Sequence, residues 1–248
     1  NLDEVWNDFI EKGGNADKVK ALIINYPNNP LGATATREYY RHVLEFCKKH
    51  KILLMSDAAY SEVYFDENDK PFSILEFEGA KDIAVEFFSF SKPYAMTGAR
   101  AGWICGNTEA IDQLCVLKST IDNGIYKPIQ IACAETINTP EGDEYFKEAN
   151  KELKRKQDIF VQGMKELGWP DFYVPNATFY LWMPIPPRYA TSKEFTDDLM
   201  KTSGIIAVPG HAYGTYGEGF FRVSIVCSEE KIIECLNRMK EDGFTFNK

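Results

Sequence analysis

No apolar run among these 248 residues is long enough to cross a bilayer, so no membrane helix is expected. Excess positive charge is missing as well. Against 28 Lys and Arg stand 37 Asp and Glu, a net charge of −9, which argues against nucleic acid or an anionic membrane surface as a partner. Histidine is scarce, with only His42, His50 and His211 scattered along the chain, and the six cysteines contain no C-x-x-C pair, so no metal site is expected. Cys47, Cys105, Cys115, Cys133, Cys227 and Cys235 read as reduced core thiols of a cytoplasmic protein. Internal repeats and low-complexity tracts are also absent. What remains is a chain 44% hydrophobic and 26% charged, able to bury a sizeable core in one large or two modest domains.

Strand and helix patterns alternate along it, as in α/β proteins. Short apolar strands are expected at residues 21–24, 52–55, 84–90 and 101–106, and a helix at 36–50 with Tyr40, Val43, Leu44 and Cys47 on one face. Residues 109–117 and 129–137 read as helices. A charged helix follows over 141–167, with Phe146, Leu153, Phe160 and Met164 among its apolar positions, stopped by Gly168-Trp169-Pro170. Beyond it come strands at 178–183, 205–208 and 220–226 and helices at 192–202 and 229–242. The expected organisation is a larger domain over 1–140, a bridging helix over 141–168 and a smaller α+β domain over 169–248. Glycines 214, 217 and 219 mark a loop able to close over a ligand.

Chemistry concentrates in four places. Ser89-Phe90-Ser91-Lys92, with Arg100 eight positions further on, follows an apolar strand. A lysine amine there can form a Schiff base with an aldehyde, while two hydroxyls and a guanidinium supply donors and fixed charge for a phosphate. That donor set suits pyridoxal 5'-phosphate; the alternative is a solvated surface loop. Upstream, strand 52–55 runs into Ser56-Asp57-Ala58-Ala59-Tyr60, where Asp57 can hold a pyridine nitrogen protonated and Tyr60 can donate to a ring phenolate oxygen. Alternatively, Asp57 caps a turn and Tyr60 packs. In Asn25-Tyr26-Pro27-Asn28-Asn29-Pro30-Leu31-Gly32 the prolines and glycine stiffen a turn that can orient the Asn29 amide toward the same oxygen. Arg222, flanked by Phe220, Phe221, Val223 and Ile225, needs an anion, either a ligand carboxylate or an internal Asp or Glu.

In this order the motifs resemble the PLP-dependent aminotransferases of fold type I, and within them most closely the LL-diaminopimelate aminotransferase branch. DAAYSEVYFD, VEFFSFSKPYAMTGARAGWICGN, STIDNGIYKPIQ and YGTYGEGFFRVSI carry that resemblance, which covers nearly the whole length. It implies part of the fold type I architecture: a partial mixed sheet flanked by helices, plus a smaller C-terminal α+β domain. It further implies Lys92 as the Schiff-base lysine, Asn29 and Tyr60 on the ring oxygen, and Asp57 on the pyridine nitrogen. Ser89, Ser91 and Arg100 would hold phosphate, and Arg222 the substrate's α-carboxylate. A homodimer is implied, with Asn123 and Tyr126 reaching the partner's site. So are amino acid and 2-oxo acid substrates, of LL-diaminopimelate or aspartate/glutamate type.

The sequence departs from the pattern at Leu31, Pro93 and Ala99, where the family commonly has threonine, threonine and a bulky residue. Pro93 removes one backbone donor near the phosphate. The chain begins at Asn1 inside what the family would call the cofactor domain, so the expectation is a C-terminal portion of a longer enzyme that does not turn over substrate alone. Two other readings share these residues: a PLP-dependent β-lyase on the same fold, and a non-catalytic cofactor-binding or dimerisation fragment.

Overall fold

The computed structural model describes residues 1–247. The chain forms two compact units. The first comprises Asn1–Pro27, Thr34–Glu62 and Lys70–Phe146; the second comprises Asn28–Ala33, Val63–Asp69 and Lys147–Lys248.

The first unit is built on a four-stranded sheet in the order β1-β2-β3-β4, with β1 Ala21–Asn25, β2 Leu53–Asp57, β3 Ala84–Ser89 and β4 Gly102–Gly106. The first three strands run parallel and β4 is antiparallel. Parallel neighbours need a crossover, and α2 (Arg37–His50) supplies the one from β1 to β2. It starts at Thr36, whose hydroxyl accepts from Tyr39 N at 3.1 Å. The expected face is the buried one: Tyr40, Val43, Leu44 and Cys47 all pack into the core with Ile24 and Leu54. Burial of Val43 and of Leu44 stabilises the fold by roughly 1.5–3 kcal/mol each.

The N-terminal helix α1 (Leu2–Glu11) went unread in the sequence, although its signals are there. Asn1 accepts from Asp3 N, two acids occupy the first turn, and Gly13 (φ 85°) lies just past the end. It docks through Trp6, which packs edge-on against Phe46 at 5.5 Å. Helices α3 (Thr108–Ile121) and α4 (Lys127–Asn138) run longer than their apolar patterns suggested. They bury only Cys133, leaving Val116, Ile121 and Ile131 exposed. A burial expectation fails too: of the six cysteines, all free thiols, only Cys47 and Cys133 are buried. Cys105 alternates outward on β4, and Cys115 sits on the open face of α3.

The second unit holds the antiparallel sheet β5-β7-β6, formed by β5 Tyr180–Pro184, β7 Phe220–Ser224 and β6 Val208–Pro209. Most of the long helix α5 (Pro140–Glu166), with α6 (Ser192–Ser203) and α7 (Glu229–Glu241), completes it. All three strands differ from the expected bounds: β7 ends at Ser224, two residues early, and the other two shift for local reasons. Thr178 takes φ 67°, a turn conformation, so β5 begins two residues late. After α6, Gly204 goes left-handed and Ile205 N reaches back to Leu199 O, so residues 205–207 finish the helix cap instead of forming strand. No described helix is long and apolar enough to cross a membrane.

One buried acid crosses the first unit's sheet. Glu86 on β3 is fully buried; its Oε1 accepts from Ser56 Oγ at 3.0 Å and Ile74 N at 3.1 Å, and its Oε2 meets Ser73 Oγ. Burial pushes its carboxyl above the usual range against the pull of these donors. A protonated Oε2 can donate to Ser73 Oγ, so the neutral acid satisfies the same partners. A pKa raised by folding makes the Glu86 contribution complete below the ordinary value of 4.5. It is lost as pH rises through the folded value. Glu86→Gln copies the neutral form. Its advantage over the parent in chemical-denaturation stability is therefore expected to widen from pH 4.5 upward, by at most about 1.4 kcal/mol per pH unit. A parent–variant difference that stays flat above pH 4.5 would show that folding does not raise the Glu86 pKa.

Candidate active site

The carboxyl ends of β1, β2 and β3 carry the candidate chemistry of the first unit, the end at which open α/β sheets receive ligands. Asn25 pairs with Asp57 in the ladder and Asp57 with Phe87. Ser89 thus lies two residues, about 7 Å, further along β3 than the partner of Asp57. The Asn25 side chain also donates to the Asp57 carbonyl at 3.0 Å. Asp57 is exposed, and its Oδ1 accepts from Ala59 N at 3.3 Å, so it does hold the turn that follows β2. Its second carboxyl oxygen leaves capacity for another donor.

Tyr60 is buried, and Lys92 Nζ stands 5.6 Å from the centre of its ring. The structure thus brings together the two residues named for the aldehyde carbon and the ring oxygen. The loop bearing Lys92 is closed on itself: Phe90 N donates to Ala101 O at 3.2 Å, and Met96 N donates to Phe90 O at 3.2 Å. Lys92 stands near one foot of this loop and Arg100 at the other. Ser89 Oγ accepts from Ser91 N at 3.1 Å, which leaves the Ser89 hydroxyl proton to donate elsewhere. Ser91 is nearly buried, and its carbonyl is held by Thr97 Oγ1 at 3.0 Å. Arg100 is exposed in the left-handed region (φ 52°), its Nη1 donating to Thr97 O at 3.3 Å. Thr97 organises both sides of the loop and escaped the sequence reading, where it looked like one more polar loop residue.

Asn29 and Arg222 both belong to the second unit, and they meet: Arg222 Nη1 donates to Asn29 Oδ1 at 2.7 Å. The Asn29 loop is pinned locally, with Gly32 N donating to Asn28 O at 2.8 Å and Leu31 N to Asn28 Oδ1 at 3.1 Å. Arg222 lies on β7 opposite Trp182, with its guanidinium carbon 4.1 Å from the Tyr180 ring centre and 5.2 Å from that of Tyr213. Its Nε is buried and makes no hydrogen bond. Among the described residues no Asp or Glu pairs with it, so the internal salt bridge is not what this arginine makes. Tyr180 and Tyr213 were missed because only strand register and loop path bring them to Arg222. Asn123 (φ 53°) and Tyr126 stand exposed in the turn from α3 to α4. No group of three or more potential metal ligands occurs among the described residues.

A family model described as aminotransferase class I and II matches residues 4–239. LL-diaminopimelate aminotransferase 2 of Trichormus variabilis is 44% identical over 232 residues, 94% of this chain and 58% of that protein. Among solved structures, apo-BacF from Bacillus subtilis superposes with a TM-score of 0.88 at 32% identity, covering 94% of this chain and 58% of that one. The aromatic aminotransferase of Pyrococcus horikoshii OT3 gives 0.86 at 29% identity, covering 97% and 62%. The chain therefore spans under two thirds of the length of these relatives.

The buried Nε without a hydrogen-bond partner is a donor that a ligand anion could take. Arg222→Met keeps packing between the tyrosines and removes the buried unpaired donor, so its unfolding free energy is expected to match the parent's within about 1 kcal/mol. A loss above about 3 kcal/mol in urea denaturation would mean that the guanidinium serves the fold.

Proposed function

Because the chain belongs to the class I and II aminotransferase family, we propose that it works in PLP-dependent transfer of an amino group from an amino acid to a 2-oxo acid. The observation that carries this reading is the pairing of Lys92 over Tyr60 at the carboxyl ends of parallel strands. The residues present fit the cofactor. Ser89 keeps a hydroxyl proton for a phosphate oxygen, Arg100 adds a fixed charge, and Asp57 retains an unused carboxyl oxygen for a pyridinium N–H. Ser91 contributes from the same loop.

Pyridoxal phosphate, when bound, supplies an aldehyde and an electron-withdrawing pyridinium ring. Lys92 has two tasks: its amine holds the cofactor between turnovers, and once displaced by a substrate amine it moves the proton at the substrate's α-carbon. Tyr60 and Asn29 donate to the ring oxygen, and Asp57 keeps the ring nitrogen protonated. Arg222 binds the α-carboxylate, for which its unpartnered Nε and flanking tyrosines leave a directed donor in a poorly hydrated setting. The relatives' names support a substrate with a second charged end, of the LL-diaminopimelate class, while an aspartate/glutamate-type substrate rests on the motif resemblance. A homodimer fits the exposed apolar residues of α3 and α4, with Asn123 and Tyr126 directed to the partner's site.

In a polypeptide of the relatives' full length that carries these residues, incubation with PLP, LL-diaminopimelate or glutamate, and a 2-oxo acid is expected to give stoichiometric amino transfer without net ammonia. Lys92→Ala should lower it by at least about 1,000-fold, as loss of both a nucleophile and a proton-transfer group demands. Release of ammonia and pyruvate from a cysteine conjugate, with no transfer, would support the β-lyase reading instead.

A further inference from the structure

The segment between β6 and β7 reads as a flexible flap in the sequence, yet it is tied down. It makes two short 3-10 turns, Gly210–Tyr213 and Thr215–Gly217. Its ends are pinched together: a Cβ on either Gly210 or Gly217 would fall 2.0 Å from the other's carbonyl oxygen. Residues 211–216 are all exposed, so no apolar core of its own holds the loop. Polar ties do. Glu218 Oε1 accepts from Ser192 N at 2.5 Å and from Gly219 N at 2.9 Å, and Ser192 Oγ meets His211 Nδ1 at 3.1 Å.

Ser192 is the first residue of α6 and is fully buried. The helix has its own capping box, in which Thr191 and Glu194 satisfy each other's N–H groups. The Ser192 N–H lies outside that exchange, and Glu218 takes it. The amides of Ser192 and Gly219 hold the Glu218 carboxyl below its ordinary range. One side chain therefore joins the foot of the loop to a helix end that the core immobilises.

What the loop carries is Tyr213. Its ring lies edge-on to Trp182 at 5.6 Å and is one of the two rings bordering the Arg222 guanidinium. Resting on the reading of Arg222 as the carboxylate-binding residue, we propose that Glu218 is a positioning residue: by anchoring the loop to α6 it holds Tyr213 against Arg222 and fixes the opening through which a substrate carboxylate enters. Tyr213 then determines which carboxylates pass, admitting those whose α-substituent can lie along its ring.

The test uses 2-oxoglutarate as probe, measured by calorimetry on the PLP-loaded protein, together with amide hydrogen exchange of residues 211–217 in the unliganded protein. Glu218→Ala is expected to speed that exchange about tenfold and weaken the probe about tenfold. Glu218→Gln keeps the accepting oxygen and should restore both to within about twofold. Unchanged exchange in Glu218→Ala overturns the anchor. Affinity lost in Arg222→Met but kept in Glu218→Ala overturns the positioning role alone. Affinity kept in Arg222→Met overturns the carboxylate reading itself.

Discussion

The parallel ladder of β1, β2 and β3 is the constraint from which the candidate site of the first unit follows. Because the three strands run the same way in fixed register, Asn25, Asp57 and the segment after Phe87 emerge at one end of the sheet. A one-residue slip in either pairing would turn the side chains of the displaced strand to the opposite face. The ladder is secured on one face by the apolar side of α2 and across its middle by Glu86, which ties β3 to Ser56 and to the segment at Ser73. Ser56 and Asp57 are adjacent on β2 and alternate between its faces, so the buried Glu86 contact and the exposed Asp57 carboxyl lie on opposite faces of the sheet.

The second unit solves another problem: presenting a cation without neutralising it. Arg222 is surrounded by rings and an amide oxygen, partners that steady a guanidinium without cancelling its charge. An internal carboxylate would have been electrostatically stronger but would compete with any ligand anion. The Asn29 loop therefore joins two tasks, since its side chain steadies Arg222 while belonging to the motif that the family resemblance assigns to the cofactor ring.

The elements most legible in the sequence were those ruled by local periodicity. Helix α2 showed its buried face at 3.6-residue spacing, and Lys92 stood out because hydroxyls and an arginine surround it. The misses were non-local or conformational. Thr178 and Gly204 shift strand boundaries through backbone angles that no apolar count reveals. Glu86 looked like an ordinary strand residue, since its three donors come from segments 12–30 positions away. Tyr180 and Tyr213 reach Arg222 only through sheet register and a tied loop. The open faces of α3 and α4 were hidden for the opposite reason: an apolar pattern predicts burial but does not say against what.

The central claim is that Lys92 is the residue that holds pyridoxal phosphate. The direct measurement is addition of the cofactor, reduction with borohydride, and peptide mapping by mass spectrometry. The account predicts one dominant modified peptide, containing Ser89 to Arg100 with the added mass on Lys92, and its disappearance in Lys92→Ala. Modification spread over surface lysines, with Lys92 unlabelled, would contradict it.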